Sequence, residues 1–341
     1  MSETLRHFAI EERGQTQDLG AYVVDAVFDR TGTAAFALGD GTVRVARGPE
    51  WPVVEAHDGA VLSMAADVRG GWVTGGDDGA FRRVAPDGAV SDLARYGSKW
   101  VERVASFADG KAGVLACAVG KAAHLFDGAG TPLRSLQHPS TVTGLAFDGK
   151  GKRLAASHYN GCSLWFTASK NGAAQVMDWK GSHTGVILHP AAEAVVTSMQ
   201  ENALHGWRLP DGQHMRMSGY PTKTASLSFS RNGRWLASSG AESVVLWPFH
   251  GGGPMGKAPL ELAGGDGVTC TQVACHPSHD MVAAGFSDGL VVLADIGSQR
   301  IIPVAPPAHG PVSALGWSGT GSHLAFGTEE GFAALVDFTP R

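Results

Sequence analysis

The residues with chemical potential in this chain are its histidines, cysteines and paired carboxylates, and their spacing points away from catalysis. There are 14 histidines and 4 cysteines. A metal site needs several ligands converging on one point, commonly His with Cys or a carboxylate. The densest run is CTQVACHPSHD (Cys270–Asp280). Cys270 and Cys275 are five apart, so a straight strand turns them to opposite faces. His276 and His279 flank a turn at Pro277. The spacing fits no zinc motif. The simpler reading makes Cys275 a core residue and leaves both histidines exposed on a connecting loop. No H-E-x-x-H and no complete phosphate-binding G-x-x-x-x-G-K-[ST] occurs. The pairs Asp77-Asp78 and Glu329-Glu330 could do acid–base work only if burial or like charge split their pKa values. Both pairs fall in predicted turns, where carboxylates are usually solvated. The reading therefore assigns no catalytic residue, no metal ligand and no cofactor.

Composition narrows the function further. The net charge is −5, with no basic run. Phosphate contacts need clustered Lys and Arg, so nucleic acid is not the expected partner. No apolar run reaches the ~18 residues that span a bilayer, and no membrane role is expected. The N-terminal run MSETLRHFAIEERGQ has early acids and no long apolar segment, unlike a secretory signal. The four cysteines form no paired framework. A soluble cytoplasmic protein with reduced thiols, monomeric on its own, is the expectation.

The elements that position these residues repeat. Compare TVTGLAFDGKGKRLAASHYNGCSLW (Thr141–Trp165) with KTASLSFSRNGRWLASSGAESVVLW (Lys223–Trp247). Each unit is two apolar runs joined by a Gly-containing turn, then a third strand closed by a large or apolar residue. That landmark falls at Ala46, Val84, Phe126, Trp165, Trp207, Trp247, Ala294 and Val336, spaced 38 to 47 residues apart. The longest interval contains the Gly-rich loop HGGGPMGK (His250–Lys257). A period of roughly 40–45 residues is that of four-stranded propeller blades. Glycine makes up 47 of 341 residues, about twice the usual share of roughly 7%.

Within a unit, first strands such as Ser226–Phe229, Gly144–Phe147 and Ala314–Trp317 alternate small and large residues. Second strands such as Ala194–Ser198 and Met281–Gly285 are continuous apolar runs, as packing on both faces requires. Polar outer strands are predicted at Pro52–Ala56, Val90–Arg95, Pro132–Gln137, Ala174–Asp178, Gln213–Met217, Pro259–Ala263 and Ile301–Ala305. Seven outer strands serve eight inner triplets. The missing one is assigned to Leu5–Ile10, which would pair with the last unit and close the ring.

These residues resemble the WD40-repeat β-propeller family along essentially the whole chain. The matching elements are Asp-Gly turns (Asp40-Gly41, Asp78-Gly79, Asp288-Gly289), terminal Trp165, Trp207 and Trp247, and a His before the first strand (His57, His138, His309). The resemblance implies an all-β propeller, read here as one domain over residues 1–341. Eight blades are expected, with seven as the alternative if the weak unit Trp100–Asp127 is an insertion. Many members carry a His–Ser/Thr–Asp–Trp hydrogen-bonded tetrad inside a blade. No unit here keeps all four. The second has His57, Thr74 and Asp78, with Val84 in place of Trp. The fourth has His138 and Trp165, with Asn160 nearest to the Asp position.

Function then rests on the loops. Hydrolytic propellers hold a channel metal with inward acids at the starts of the first strands. The corresponding positions here are Val61, Val101, Val142, His183, Thr224 and Cys270, which are largely apolar. The loops joining outer to first strands (d–a) and second to third strands (b–c) emerge on one face. They carry a basic and aromatic arc assigned to units three to six, with Lys99, Trp100, His158, Tyr159, Lys180, His183, Tyr220, Lys223 and Phe286, and an acidic arc on units one, two and eight, with Asp40, Asp58, Asp77, Asp78, Glu329 and Glu330. Aromatic anchors ringed by charge are the composition of interface hot spots, and a split charge orients a partner. The expected function is a non-catalytic scaffold for a protein or peptide partner. The alternatives are a propeller hydrolase with a channel metal, or a propeller that handles a metal or small molecule.

Overall fold

Short apolar runs cut by glycine turns cannot form helices long enough to bury a face, so the chain pairs into antiparallel strands. The computed structural model describes residues 7–110 and 112–340. Its strands form an all-β propeller, with each unit laid down as four consecutive antiparallel strands, a to d, from the centre outwards. Unit one runs Val23–Phe28, Ala34–Leu38, Thr42–Ala46 and Val53–Glu55. Unit two runs Val61–Ala66, Trp72–Gly76, Ala80–Val84 and Val90–Arg95. All eight landmark residues lie in third strands, and six of the predicted outer strands are found within a residue or two of their places, the exceptions being Ala174–Asp178, which runs on into the next unit, and Leu5–Ile10.

Counted by continuous hydrogen bonding the propeller has seven blades, the alternative to the eight expected. Six sheets have four strands and one has six. The reason is local. The outer segment of unit four and the first segment of unit five form one unbroken strand, Gln175–Leu188. Its start pairs with Gly161–Leu164 and its end with Val195–Ser198. The strand Arg153–Phe166 likewise spans the b and c segments of unit four and reverses at Tyr159-Asn160, where Asn160 takes a φ of 67°. Units four and five thus share a sheet while each keeps its own landmark. The weak third unit is no insertion; it has four strands, Arg103–Asp109, Ala112–Val119, Ala122–Asp127 and Pro132–Gln137.

An N-terminal strand does close the ring, but it is Gly14–Asp18 rather than Leu5–Ile10. It pairs Gly14 with Val336 through Asp18 with Phe332. Leu5 and Arg6 lie outside the described residues. Ala9 and Ile10 sit instead in a short helix, Ala9–Arg13, and pack on the cluster around Val304, Val336 and Phe326. An outer strand is exposed on its far side, so the polar run GQTQD suits it, whereas apolar Ala9 and Ile10 are better used against the core.

Neighbouring units interlock through their first strands. Ser63 Oγ accepts the Val104 N–H, and Ser226 Oγ accepts the Val273 N–H. Thr143, Thr271 and Ser313 donate their hydroxyls to the carbonyls of His183, Val312 and Val23 in the next unit. The last of these joins unit eight to unit one. Valines add packing. A Cβ on Gly285 would meet Val312 Cγ1 at 2.4 Å, and one on Gly327 would meet Val23 Cγ1 at 2.4 Å. Only glycine lets the next unit approach that closely.

Candidate functional site

The d–a and b–c loops emerge at one end of the propeller because consecutive strands are antiparallel. Each d–a segment must cross from the rim of one unit to the centre of the next. In units two to six that segment drops a polar aromatic side chain onto the b or c strand of the unit it enters. In unit two, His57 Nδ1 lies 2.8 Å from Asp78 Oδ1 and Nε2 lies 2.9 Å from Thr74 Oγ1. Arg82 also approaches Asp78, at 3.4 Å. Burial pushes the His57 pKa down, against the pull of Asp78, so the buried imidazole is neutral. The Asp78 carboxyl is held below its ordinary value because its bonds to His57 and to backbone N–H groups outweigh burial, the largest single effect.

Unit four uses the same contact with fewer parts. Trp165 Nε1 donates to His138 Nε2 at 3.0 Å. Burial, with the nearby His158, lowers the His138 pKa to about 4. Unit five buries His183 fully, with Nδ1 2.7 Å from Thr197 Oγ1 and Nε2 2.9 Å from the Trp179 carbonyl. Unit six substitutes a tyrosine. Trp247 Nε1 donates to Tyr220 Oη at 2.6 Å, Tyr220 Oη is 2.6 Å from Ser238 Oγ, and Ser238 Oγ donates to the Val245 carbonyl at 3.2 Å. Unit eight departs again. His309, which precedes the first strand as His57 and His138 do, stacks on Phe332 with ring centroids 4.0 Å apart.

These contacts reassign part of the predicted docking set. His158, His183, Tyr220 and Phe286 are buried. His158 bonds Ser163 Oγ through Nε2 at 2.9 Å, and Phe286 is packed in the core between units six and seven. A partner arriving from solvent cannot reach such side chains, so they are clamps. Lys99, Trp100, Tyr159, Lys180 and Lys223 are exposed, as are Glu329 and Glu330. Asp77 and Asp78 are half-buried.

The channel positions also need correction. Val61, Val101, Val142, His183, Thr224 and Cys270 are all buried between units and do not face an open channel. The first strands carry a β-bulge at this point, with register shifts at Val23/Asp25, Val61/Ser63, His183/Gly185, Cys270/Gln272 and Val312/Ala314. One extra residue reverses the alternation. Asp25 is the residue that sequence reading missed. Its Oδ2 accepts the Met64 N–H at 2.8 Å, the position that Ser63 and Ser226 fill in their units. Burial raises its pKa to about 6, moderated by the Met64 bond and by Arg103.

The Cys–His run assembles no metal centre. Cys275 Sγ donates to the Ser228 carbonyl at 3.3 Å. His276 is buried, contrary to the expected exposed loop position, and bonds the Gly321 carbonyl of the next unit through Nε2 at 3.1 Å. His189 does the same to Gly233 at 2.9 Å. Both sit in His-Pro pairs just after a first strand, a repeated signal visible in the sequence. Among the described residues no group of three or more His, Cys, Asp and Glu is placed to hold a metal ion. The run GFSDG (Gly285–Gly289) has the spacing of a nucleophile elbow. It lies in a b–c hairpin rather than before a helix, and Ser287 Oγ accepts the Thr269 N–H at 3.0 Å.

Comparison with known proteins agrees with this geometry. Residues 130–165 match the family model "WD domain, G-beta repeat". A 146-residue stretch is 25% identical to Autophagy-related protein 16 of Arabidopsis thaliana, covering 40% of this chain and 27% of that protein's length. The crystal structure of the computationally designed Ika8 protein superimposes with a TM-score of 0.74 at 18% identity, covering 93% of this chain and 96% of that one. That likeness speaks to fold alone. No unit keeps the whole His–Ser/Thr–Asp–Trp set, yet several keep part of its contacts, and the chain is a β-propeller whose residues 130–165 are similar to a WD repeat.

Proposed function

We propose that the protein is a non-catalytic interaction platform whose partner, a protein segment, docks on the end carrying the d–a and b–c loops. The observation that carries this reading is the exposure of two large aromatics there. Trp100 is 56% exposed and Tyr159 55% exposed. Neither ring stacks on another among the described residues, while their buried counterparts His183 and Tyr220 are fully engaged. Large aromatics left in solvent gain most from a partner that covers them. Lys99, Lys180 and Lys223 on one arc, and Asp77, Glu329 and Glu330 on another, would set the orientation of docking. Asp78 contributes to this field but is held by His57.

WD40 propellers generally serve as binding surfaces, and no helix among the described residues is long and apolar enough to cross a membrane. A single cytoplasmic domain acting as a monomer is part of the same proposal. The autophagy role in the plant relative's name is not carried over, because the likeness covers 27% of that protein.

The test is partner capture from source cytosol with wild type and with Trp100→Ala and Tyr159→Ala, the retained proteins being identified by mass spectrometry. The expected result is a partner retained by wild type and lost by both variants, with thermal unfolding unchanged. Capture that falls only in step with stability would overturn the reading.

A further inference from the structure

Unit three carries a recess of about 440 Å³ lined by Tyr96, Lys99, Lys121, His124, Gln137 and the turn backbone at Gly120. Its charge is one-sided, with two lysines and no carboxylate. Lys99 comes from the d–a loop that enters the unit, and Lys121 from the b–c turn between Ala112–Val119 and Ala122–Asp127. Both side chains are exposed. Among the described residues neither ammonium group enters an ion pair.

The wall behind them is uncharged and largely apolar, with Val119 and Ala122 beside the rings of Tyr96 and His124 and the amide of Gln137. The Tyr96 and His124 rings lie against each other at 4.5 Å. Burial lowers the His124 pKa and raises that of Tyr96, so near neutral pH the imidazole has lost its charge and the phenol keeps its proton. The Cys117 thiol donates to Tyr96 Oη at 3.6 Å, which leaves the phenol's own hydrogen free to donate elsewhere. Gln137 Nε2 bonds Ser135 Oγ at 3.2 Å, and the amide retains a second N–H. Trp100 follows Lys99 directly and stands in solvent.

Two cations held in one concavity repel each other, and an anion between them relieves that repulsion while drawing on neutral donors at the wall. The protein as a whole is negative, with a net charge of −5, so its overall field opposes such a guest and attraction must be local. We propose that this recess seats an aspartate or glutamate side chain from an extended segment of a protein partner. Trp100 covers the apolar residue beside that carboxylate. The inference rests on the interaction-platform reading and supplies the partner's chemistry.

The probe is a fluorescein-labelled decapeptide of alternating glutamate and leucine, followed by anisotropy with the full-length protein. A glutamine–leucine peptide and a phosphoserine–leucine peptide run beside it. The glutamate peptide should bind about tenfold more tightly than the glutamine peptide at low salt, with the gap narrowing as salt screens the contact. Lys99→Glu with Lys121→Glu should abolish the preference at unchanged thermal unfolding, whereas Lys180→Glu with Lys223→Glu should leave it intact. Equal binding of the glutamate and glutamine peptides overturns the proposal, as does an unaffected Lys99/Lys121 variant. Binding of the phosphoserine peptide alone also overturns it. Should the glutamate peptide fail while Trp100→Ala still loses a captured partner, acid recognition falls and the platform reading stands.

Discussion

Tyr220→Phe removes one oxygen from the protein, and the structure gives that oxygen a full set of work. It accepts the indole N–H of Trp247 and pairs with Ser238 Oγ, which passes its own hydrogen to the Val245 carbonyl. Tyr220, Ser238 and Trp247 are all buried. Without the phenol oxygen, the Trp247 N–H has no acceptor and Ser238 loses its partner. A buried polar group left unpaired costs about 1–3 kcal/mol. Trp247 is the main casualty, because Ser238 keeps its bond to Val245. The expected loss is therefore about 2–3 kcal/mol. Unfolding entropy near 2.1 cal/mol/K per residue turns this into a fall in Tm of about 3–4 °C for a chain of this length. Burial pushes the Tyr220 pKa up to about 12, so the cost should not vary between mildly acid and mildly alkaline pH. The assay is urea unfolding followed by circular dichroism, run as a cycle with Trp247→Phe. Once Trp247 is already phenylalanine, removing the Tyr220 oxygen should cost about 1 kcal/mol less. A loss below about 0.5 kcal/mol, or no coupling between the two sites, would refute the clamp. Partner capture by Tyr220→Phe should persist, since the side chain is not a docking anchor.

Three further outcomes are expected. The His138 pKa is lowered to about 4 and that of His205 to about 3, mainly by burial; groups depressed in this way contribute stability that is complete above the unfolded value near 6.5 and is lost as pH falls through the folded value. The urea midpoint should thus drop between about pH 6.5 and 4, His138→Gln should shallow that drop, and a flat profile would count against it. Asp25 has the opposite sign, since its raised pKa makes the ionised form costly above about 6; Asp25→Asn, which keeps an acceptor for Met64, should stabilise by about 1–3 kcal/mol at pH 7.5 and by little at pH 4, and equal effects at both pH values would contradict the assignment. Deleting residues 1–18 removes the strand paired with Phe332–Val336, so thermal unfolding should fall and self-association should rise as that edge is bared; sedimentation and calorimetry unchanged from wild type would argue against closure by this strand.

Much of this was legible along the chain because it is local. The 38- to 47-residue spacing, the apolar b strands and the polar outer strands follow from side-chain alternation and turn glycines, and most of their places were read within a residue or two. His57, Thr74 and Asp78 were picked out by the resemblance to WD40 repeats, and the three side chains do meet. Charge and exposure at Lys99, Trp100 and Tyr159 followed from loop position. The rest depended on packing between units. Tyr220 and Trp100 look alike as aromatics in d–a loops, yet one turns in to meet Ser238 and Trp247 while the other turns out. Which way a loop side chain turns depends on the partners that the b and c strands offer, and these lie some 18 to 27 residues further on for Tyr220. Asp25 was hidden because a bulge adds one residue and reverses the facing of the first strand. The unbroken strand Gln175–Leu188 that merges two units, and the choice of Gly14–Asp18 over an apolar neighbour to close the ring, are set by contacts across the sheet and across more than 300 residues of chain. Periodicity can specify a strand and its buried face, but not which neighbour a residue meets when the ring shuts.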